Sequence, residues 1–537
     1  MRDAHSGRAQ SPAAASAWTR DLFLFAAIFV VVMLLHAPLL RLPYFWDEAG
    51  YYVPAARDLY LTGALIPHST PSNAHPPLVM AWLALAWRVA GYSPLVTRTA
   101  MLAVAAFSLL GLFRLSRFAA NLPVAWATTA LAALYPVFFT QSSLAHLDLA
   151  AAGLTFWGLL AYLEDRPWKL AWWFSLAALT KETAILAPLA LFAWELSARW
   201  FPVRWADFVP PAGRRLRPLF LLVPLLPLAC WYAYHYAKTG FLFGNPEFLR
   251  YNVTATLDPL RIPLAMALRF WQVFGYFGMY LLTVAGMLAM RRSPLAGKGE
   301  ARPRIALWMQ MAFLSVLSAY VVFMSVVGGA VLARYMLPVV PLAMLVMVST
   351  LWRRVRYWRL VVALVAIAFV AGLFTNPQYG FSIEDNLAYR DYVILHAQAG
   401  RFLALRYPRA RVLTAWPASD ELSRPWLGYV SHPFPVVRIE DFTPGQVAIA
   451  AASANQFDVA LAFSTKYQPA HPLLEDWASW RALKEKYFGY HRDLPPEEIA
   501  QRLGGRVVFQ KPSDGQWVAV IALEREVDAE LRMRPAR

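Results

Sequence analysis

Two acids stand side by side in Tyr44-Phe45-Trp46-Asp47-Glu48-Ala49-Gly50-Tyr51-Tyr52, ringed by aromatic residues, directly after an apolar run at 22–40. An acid at the edge of hydrocarbon gives up hydration and is usually kept for a purpose. A carboxylate there can take the proton of a hydroxyl, or join other oxygen ligands around a divalent ion. Read alone, the stretch is equally an aromatic belt with a solvated loop. Downstream, Asn73-Ala74-His75-Pro76-Pro77-Leu78 makes a proline-fixed turn, and His75 by itself reads as a turn residue. Asp148, in His146-Leu147-Asp148, is a lone acid that a helix start also explains. Arg98, Lys181 and Arg334 (the last followed by Tyr335) border apolar runs. Singly, each reads as a side chain snorkelling to headgroups. The chemistry appears if all share one membrane face. Asp47, Glu48 and Asp148 then supply the acids, and three cations oppose them that suit the phosphate of a lipid.

Whether they share a face depends on the spans. Of the 537 residues, 59% are hydrophobic and 15% charged, against about 25% charged in soluble proteins. Mean hydropathy is +0.41. That much apolar surface excludes a soluble enzyme, a disordered chain and a fibrous protein, and leaves a polytopic membrane protein. Apolar runs at 22–40, 99–113, 124–141, 149–163, 168–180, 184–198, 218–236, 270–290, 305–327, 335–351 and 360–374 predict about eleven spans. With a cytoplasmic N-terminus, the inside loops hold Arg114 and Arg117, Arg166 and Lys169, Arg199 to Arg217, Arg291 to Arg304 and Arg353 to Arg359. This is the positive-inside pattern. It absorbs much of the +17 net charge, so no nucleic-acid partner is needed. An odd span count places the C-terminus outside, and Asp47, Asp148, Lys181 and Arg334 fall together on the outer side. Cys230 is the sole cysteine, so an exported region stands without intrachain disulfides.

Two outer segments are long. The first loop, 41–98, carries a Trp-rich apolar helix at 78–89 that suits the membrane interface; the second runs 238–269. After residue 376 the composition turns mixed, with no run long enough to span. A helix is expected at 385–406, strands at 411–415, 436–439, 458–463, 506–510 and 517–523, a hairpin turn at 513–516, and a short helix from 494. The expected organisation is a membrane domain at 1–376 and an extracytoplasmic α/β domain at 377–537.

The chain has no phosphate-binding Gly-rich loop, no His-Glu-x-x-His, no Gly-x-Ser-x-Gly and no dinucleotide fingerprint, so acids on the outer face would draw on a donor delivered by the membrane. Trp46-Asp47-Glu48-Ala49-Gly50-Tyr51, His75-Pro76-Pro77-Leu78, Arg98, Asp148, Leu179-Thr180-Lys181 and Arg334-Tyr335-x-Leu-Pro338 occur in that order. Together they resemble the membrane glycosyltransferases of the protein O-mannosyltransferase and aminoarabinose (lipid A) transferase type, over about residues 20–350. The resemblance implies a GT-C fold and a polyprenyl-phosphate sugar donor. It implies a hexosyl- or pentosyltransferase of a bacterial-type inner membrane and cell envelope, acting on an acceptor lipid, glycan or protein. Asp47 matches the first catalytic acid and Asp148 the second, with Tyr51, His75, Arg98, Lys181, Arg334 and Tyr335 on the side of donor and carrier phosphate. No cofactor is assigned; a divalent metal held among Asp47, Glu48, His146 and Asp148 stays open. The aminoarabinose transferases commonly have Arg where this chain has Gly50 and Lys where it has His75. The alternative from another class is a transporter or flippase of lipid-linked saccharides, which would spread charges through the membrane and often repeat its halves.

Overall fold

A computed structural model describes residues 12–524, apart from 199, 201–202, 212, 245, 247–249, 251–252, 254–255, 298–299 and 470–476. Arg199 and Lys298, counted above among the inside cations, lie outside the described residues. Helices dominate. Among the described residues five of them are long and apolar enough to cross a bilayer: Thr19–Leu39, Pro94–Ala119, Pro218–Thr239, Arg261–Met290 and Leu307–Val326. A sixth candidate is a bent pair, Leu122–Leu134 and Pro136–Ser143, which meet at 68°. The sequence predicts one straight span there. Pro136 lacks the N–H that would continue the ladder, and Tyr135 turns extended before it, so the helix breaks. Asp148–Leu163 and Trp358–Phe374 are shorter apolar helices.

Local signals explain the ends. Ser93 and Asn121 each accept a hydrogen bond from the N–H three residues on, with proline in the first turn, as capping requires. The interfacial helix expected at 78–89 is present as Leu78–Ala90 and stops at Gly91. The long outer loop expected at 238–269 is corrected at its end. A helix begins at Arg261 and runs to Phe274, its apolar and polar residues segregated so that Arg261 and Arg269 are buried with Ala265 and Val273.

The C-terminal region holds a five-stranded mixed sheet made of β1 (Val412–Ala415), β2 (Val436–Ile439), β3 (Val459–Phe463), β4 (Gly505–Ser513) and β5 (Gln516–Leu523). Its spatial order is β2-β1-β3-β5-β4. β1 pairs parallel with both β2 and β3, and β5 pairs antiparallel with β3 and β4. β1 and β3 are buried throughout, as suits parallel strands covered on both faces. Helix Ala388–Arg406 packs on β4 and β5.

This region does not hang free. One continuous apolar core joins Phe45, Tyr52, Leu83 and Trp87 of the first outer loop to Tyr389, Tyr392, Val412 and Val520. Tyr429 Oη donates to the Tyr44 carbonyl at 2.9 Å, Tyr92 Oη to the Trp426 carbonyl at 2.9 Å, and Arg424 to the Ser69 carbonyl at 2.7 Å. The segment 41–98 is held between the apolar helices and the sheet domain.

Candidate active site

The first apolar helix ends at His36, and the chain enters a bend at Trp46 with φ +40°. A bulky side chain in the left-handed region is strained, and such strain persists where the surroundings over-determine it. Here Trp46 lies 5.5 Å from Tyr392 and 5.4 Å from Trp416, ring to ring, both edge-on. The bend opens a π-helical turn, Glu48–Tyr52, with Asp47 at its start. π turns are rare and recur at functional sites. Neighbouring acids thereby point different ways.

Glu48 faces inward and is fully buried. Both its oxygens bind Arg98, and it also accepts from the N–H groups of Phe45 (2.8 Å) and Ala145 (2.5 Å). Arg98 in turn donates to the carbonyls of Ser143 (2.8 Å) and Pro43 (3.0 Å). The pair clamps the turn to two helices. It leaves neither group open to a donor arriving through the bilayer, contrary to the phosphate role expected of Arg98 and the metal role expected of Glu48.

Asp47 faces outward, its side chain 20% exposed. Its Oδ2 accepts from Arg334 at 2.5 Å. Arg334 comes from the turn Ala333–Met336 and is the hub of the site. Its Nε stands 3.2 Å from Asp148 Oδ2, and one terminal nitrogen donates to Glu384 Oε2 at 2.5 Å. That same nitrogen lies 3.0 Å from His146 Nδ1. Asp148 opens helix Asp148–Leu163 and accepts from Lys181 Nζ at 2.5 Å. Lys181 caps the end of helix Pro167–Thr180, its ammonium 4.1 Å above the Tyr335 ring. Asp47, Asp148, Lys181, Arg334, Tyr335 and His146, spread over 289 positions from 47 to 335, therefore meet in one cluster.

His75 and Tyr51 lie to one side. His75 Nδ1 pairs with Glu182 at 2.9 Å, and its ring is 5.9 Å from Tyr52. The His75 partnership lowers the Glu182 carboxyl to about 2, against the upward push of burial. Tyr51 and His75 line a cleft with Tyr52, Met80 and Trp231, and Tyr51 touches Trp416 from the sheet domain, ring centroids 5.6 Å apart. Gly50 is explained here. A Cβ on it would stand 2.6 Å from the Trp416 indole, so the aromatic ring fills the space a side chain would take.

Two residues escape a sequence reading. Glu384 sits in the turn Ile383–Asp385, just past the last apolar helix. Burial pushes its carboxyl up to about 8, with Asp47, Asp385 and Asp148 adding to the push and Arg334 opposing it. Burial likewise pushes its neighbour Asp385 up to about 7. Arg269 is the other. It is fully buried, 5.5 Å from the Tyr335 ring, and among the described residues bonds only to neutral groups: Gln272 Oε1 and the carbonyls of Leu332 and Met324. One of its terminal nitrogens has no hydrogen-bond partner, and among the described residues it forms no ion pair. Its only sequence signal is a charge within the outer end of an apolar run.

For a metal, one ligand atom each from Asp47, His146 and Glu384 lies within 4.8 Å of the others, and His146 Nε2 is buried without a partner. The expected ligands Glu48 and Asp148 are outside this group, held by Arg98 and by Lys181 with Arg334. The guanidinium of Arg334 already contacts all three candidate ligands, so a cation already fills the electrostatic place of an ion. The donor set does not fit a metal as it stands, and no chemical step is derived through one.

Fold and cluster together define a class: a polytopic helical membrane protein with a buried cluster of acids and cations beside a sheet-bearing region. Among solved structures, ArnT from Cupriavidus metallidurans bound to undecaprenyl phosphate matches with a TM-score of 0.51 and 15% identity, over 95% of this chain and 98% of that one. This likeness shows the GT-C fold. The apo state of the same protein matches with a TM-score of 0.49 at 17% identity over the same shares. An Archaeoglobus fulgidus oligosaccharyltransferase complex with Zn and sulfate matches with a TM-score of 0.45 at 13% identity, over 93% of this chain and 72% of that one. No protein-family model and no curated protein matches the chain.

Proposed function

We propose that the protein is a membrane glycosyltransferase that moves a sugar from a polyprenyl-phosphate donor to an acceptor hydroxyl at the extracytoplasmic face. The observation that carries this reading is Asp47, a carboxylate reaching solvent above a buried cluster of opposite charges. The GT-C fold, shared with a protein bound to undecaprenyl phosphate, supports the same donor class.

In the reaction, Asp47 accepts the proton of the acceptor hydroxyl. The hydroxyl oxygen forms a bond to the anomeric carbon of the donor. The bond from that carbon to the phosphate oxygen breaks, and the lipid phosphate leaves with the electron pair. Proton acceptance by a positioned side chain contributes about 10²–10⁴-fold. Charge growing on the leaving phosphate needs a cation aimed at it. Arg98, Lys181 and Arg334 are engaged by acids, so Arg269, bonded only to neutral groups, is the best-placed guanidinium for the phosphate, with Tyr335 and Lys181 flanking. Asp148 holds Lys181 and Arg334 in place. Glu48 fixes the turn that aims Asp47. His75 and Tyr51 line the cleft by which the donor sugar, a hexose or pentose, would enter.

The reading includes a multi-pass protein of a bacterial-type inner membrane with about eleven spans, the shorter helices crossing by tilt or burial among neighbours. The N-terminus is cytoplasmic. Residues 1–376 form the membrane domain and 377–537 the extracytoplasmic one. The test is transfer by purified protein from undecaprenyl phosphate bearing hexoses and pentoses to envelope lipids and glycans, read by mass spectrometry. Efficient use of a soluble nucleotide sugar without any lipid would refute the proposal.

A further inference from the structure

We propose that Glu384 is a positioning residue for this transfer, gripping one terminal nitrogen of Arg334 while the other terminal nitrogen meets Asp47, so that the guanidinium presents a fixed donor to the base. The inference rests on the functional reading above and gives the C-terminal region a part in the site.

Three acids surround Arg334, and they differ in mobility and access. Asp148 is locked by Lys181. Glu384 is locked through its backbone. The Thr140 hydroxyl donates to the Glu384 carbonyl at 2.7 Å, and the Tyr276 hydroxyl to Asp385 Oδ2 at 2.7 Å. Asn386 bonds to Asn376 at 2.8 Å, and the Leu387 N–H to the Leu373 carbonyl at 3.2 Å. These anchors come from three separate stretches of membrane helix and from the connection after the last one. The Glu384 side chain is 5% exposed and that of Asp148 3%, against 20% for Asp47.

A guanidinium is a rigid planar fork. With one terminal nitrogen hydrogen-bonded to Glu384 and the Asp148 carboxylate 3.2 Å from Nε as an ion pair, it is kept from swinging, and its other terminal nitrogen presents a fixed donor to Asp47 Oδ2. Among the described residues no hydrogen bond reaches Asp47 Oδ1, so that oxygen is the one turned over to the acceptor. Glu384 needs only an oxygen that accepts from Arg334, which both a carboxyl and a carboxamide offer. Its elevated proton affinity is compatible with that task.

The decisive comparison is Glu384→Ala against Glu384→Gln in purified full-length protein. Turnover is measured with the undecaprenyl-phosphate sugar that the wild type uses, alongside KM for that donor and the melting temperature. Alanine frees the fork, so kcat should fall roughly 10- to 100-fold, the scale of a misplaced catalytic group, with donor KM within about twofold. Glutamine keeps the acceptor and should recover turnover to within several-fold of wild type. Wild-type kcat in the alanine variant would overturn the proposal. So would a loss confined to KM, or one that glutamine fails to lessen, since that would require an ionising group. A loss that excess Mn²⁺ restores would make Glu384 a metal ligand and overturn it too. If the wild type transfers sugar from no lipid donor in the panel, the functional reading falls and takes this proposal with it. An active wild type with an unaffected alanine variant sinks the Glu384 proposal alone.

Discussion

At the scale of residues, the site separates the acids by environment. Asp47 and Glu48 are adjacent, yet one reaches solvent and the other is wholly buried against Arg98. Asp47→Asn keeps size and most hydrogen bonding but cannot accept a proton. It should lower turnover by at least about a hundredfold with expression and donor binding near normal; wild-type turnover in that variant would discard the mechanism. Glu48→Gln acts differently. It leaves Arg98 buried beside a neutral partner, a situation that costs about 3–5 kcal/mol when one half of a buried pair is removed, so the expected loss is in thermal stability and yield. Arg269→Lys keeps the charge and gives up the planar fork. A lost charge-assisted hydrogen bond of about 1.5–3 kcal/mol should appear as a 10- to 100-fold rise in donor KM with kcat less affected. An unchanged KM would remove Arg269 from the phosphate. The acids and cations flanking apolar runs were legible in the sequence because charge beside hydrocarbon is conspicuous. Glu384 was not, because it sits among mixed residues past the last span, where an acid is unremarked. Arg269 was hidden because an arginine at a span edge looks like any snorkelling side chain.

At the scale of elements, the turn at 46–52 carries Asp47 and Glu48, and the sheet domain braces it. Trp46 is strained at φ +40° between Tyr392 and Trp416, and Gly50 lets the Trp416 indole approach. Gly50→Ala would drive a methyl into that ring at 2.6 Å. Overpacking typically costs about 1–3 kcal/mol, so the variant should melt lower and turn over more slowly, and Trp416→Ala in the same chain should relieve part of the defect. Additive losses would mean the two do not meet. The turn at 383–385 carries a pH signature. Asp385 holds its proton up to about pH 7 in the folded protein, while an unfolded chain releases it near pH 4. Between those values the unfolded state has lost a proton that the folded state keeps, so stability falls as pH rises through the window. The melting temperature of wild type should drop from pH 5 to pH 7, and Asp385→Asn should flatten that slope; parallel curves would contradict the assignment. Strands at 412–415, 436–439 and 459–463 were readable from β-branched and apolar runs between turn residues. The break at Tyr135–Pro136 and the early start of the helix at Arg261 were not, since one apolar stretch cannot show where a helix bends or how far a polar end winds.

At the scale of the whole molecule, charge is sorted to two ends. Helix Asp148–Leu163 starts in the acidic cluster and ends where Arg214 donates to Glu195 at 2.8 Å and lies beside Tyr162. At 1.5 Å per residue its 16 residues span about 24 Å, short of a ~30 Å hydrocarbon core; the same shortness kept the span count open in the sequence. At the basic end, two loops hold each other. The Leu295 N–H donates to the Arg353 carbonyl at 2.8 Å, Arg353 Nε to the Arg302 carbonyl at 2.9 Å, and Arg302 to the Trp352 carbonyl at 2.6 Å. Retention of Lys and Arg on the cytoplasmic side predicts the orientation: basic loops inside, cluster and sheet domain outside. Reporter fusions at Arg215, Arg292 and Arg354 should read cytoplasm, and a fusion after Asn376 should read outside. An inside reading after Asn376 would reverse the membrane face of the site, because Glu384 lies only eight residues beyond that point and is bonded to Arg334. A donor flipped to the outer leaflet could then not be the substrate, and the same acids would have to act on one made and used in the cytoplasm.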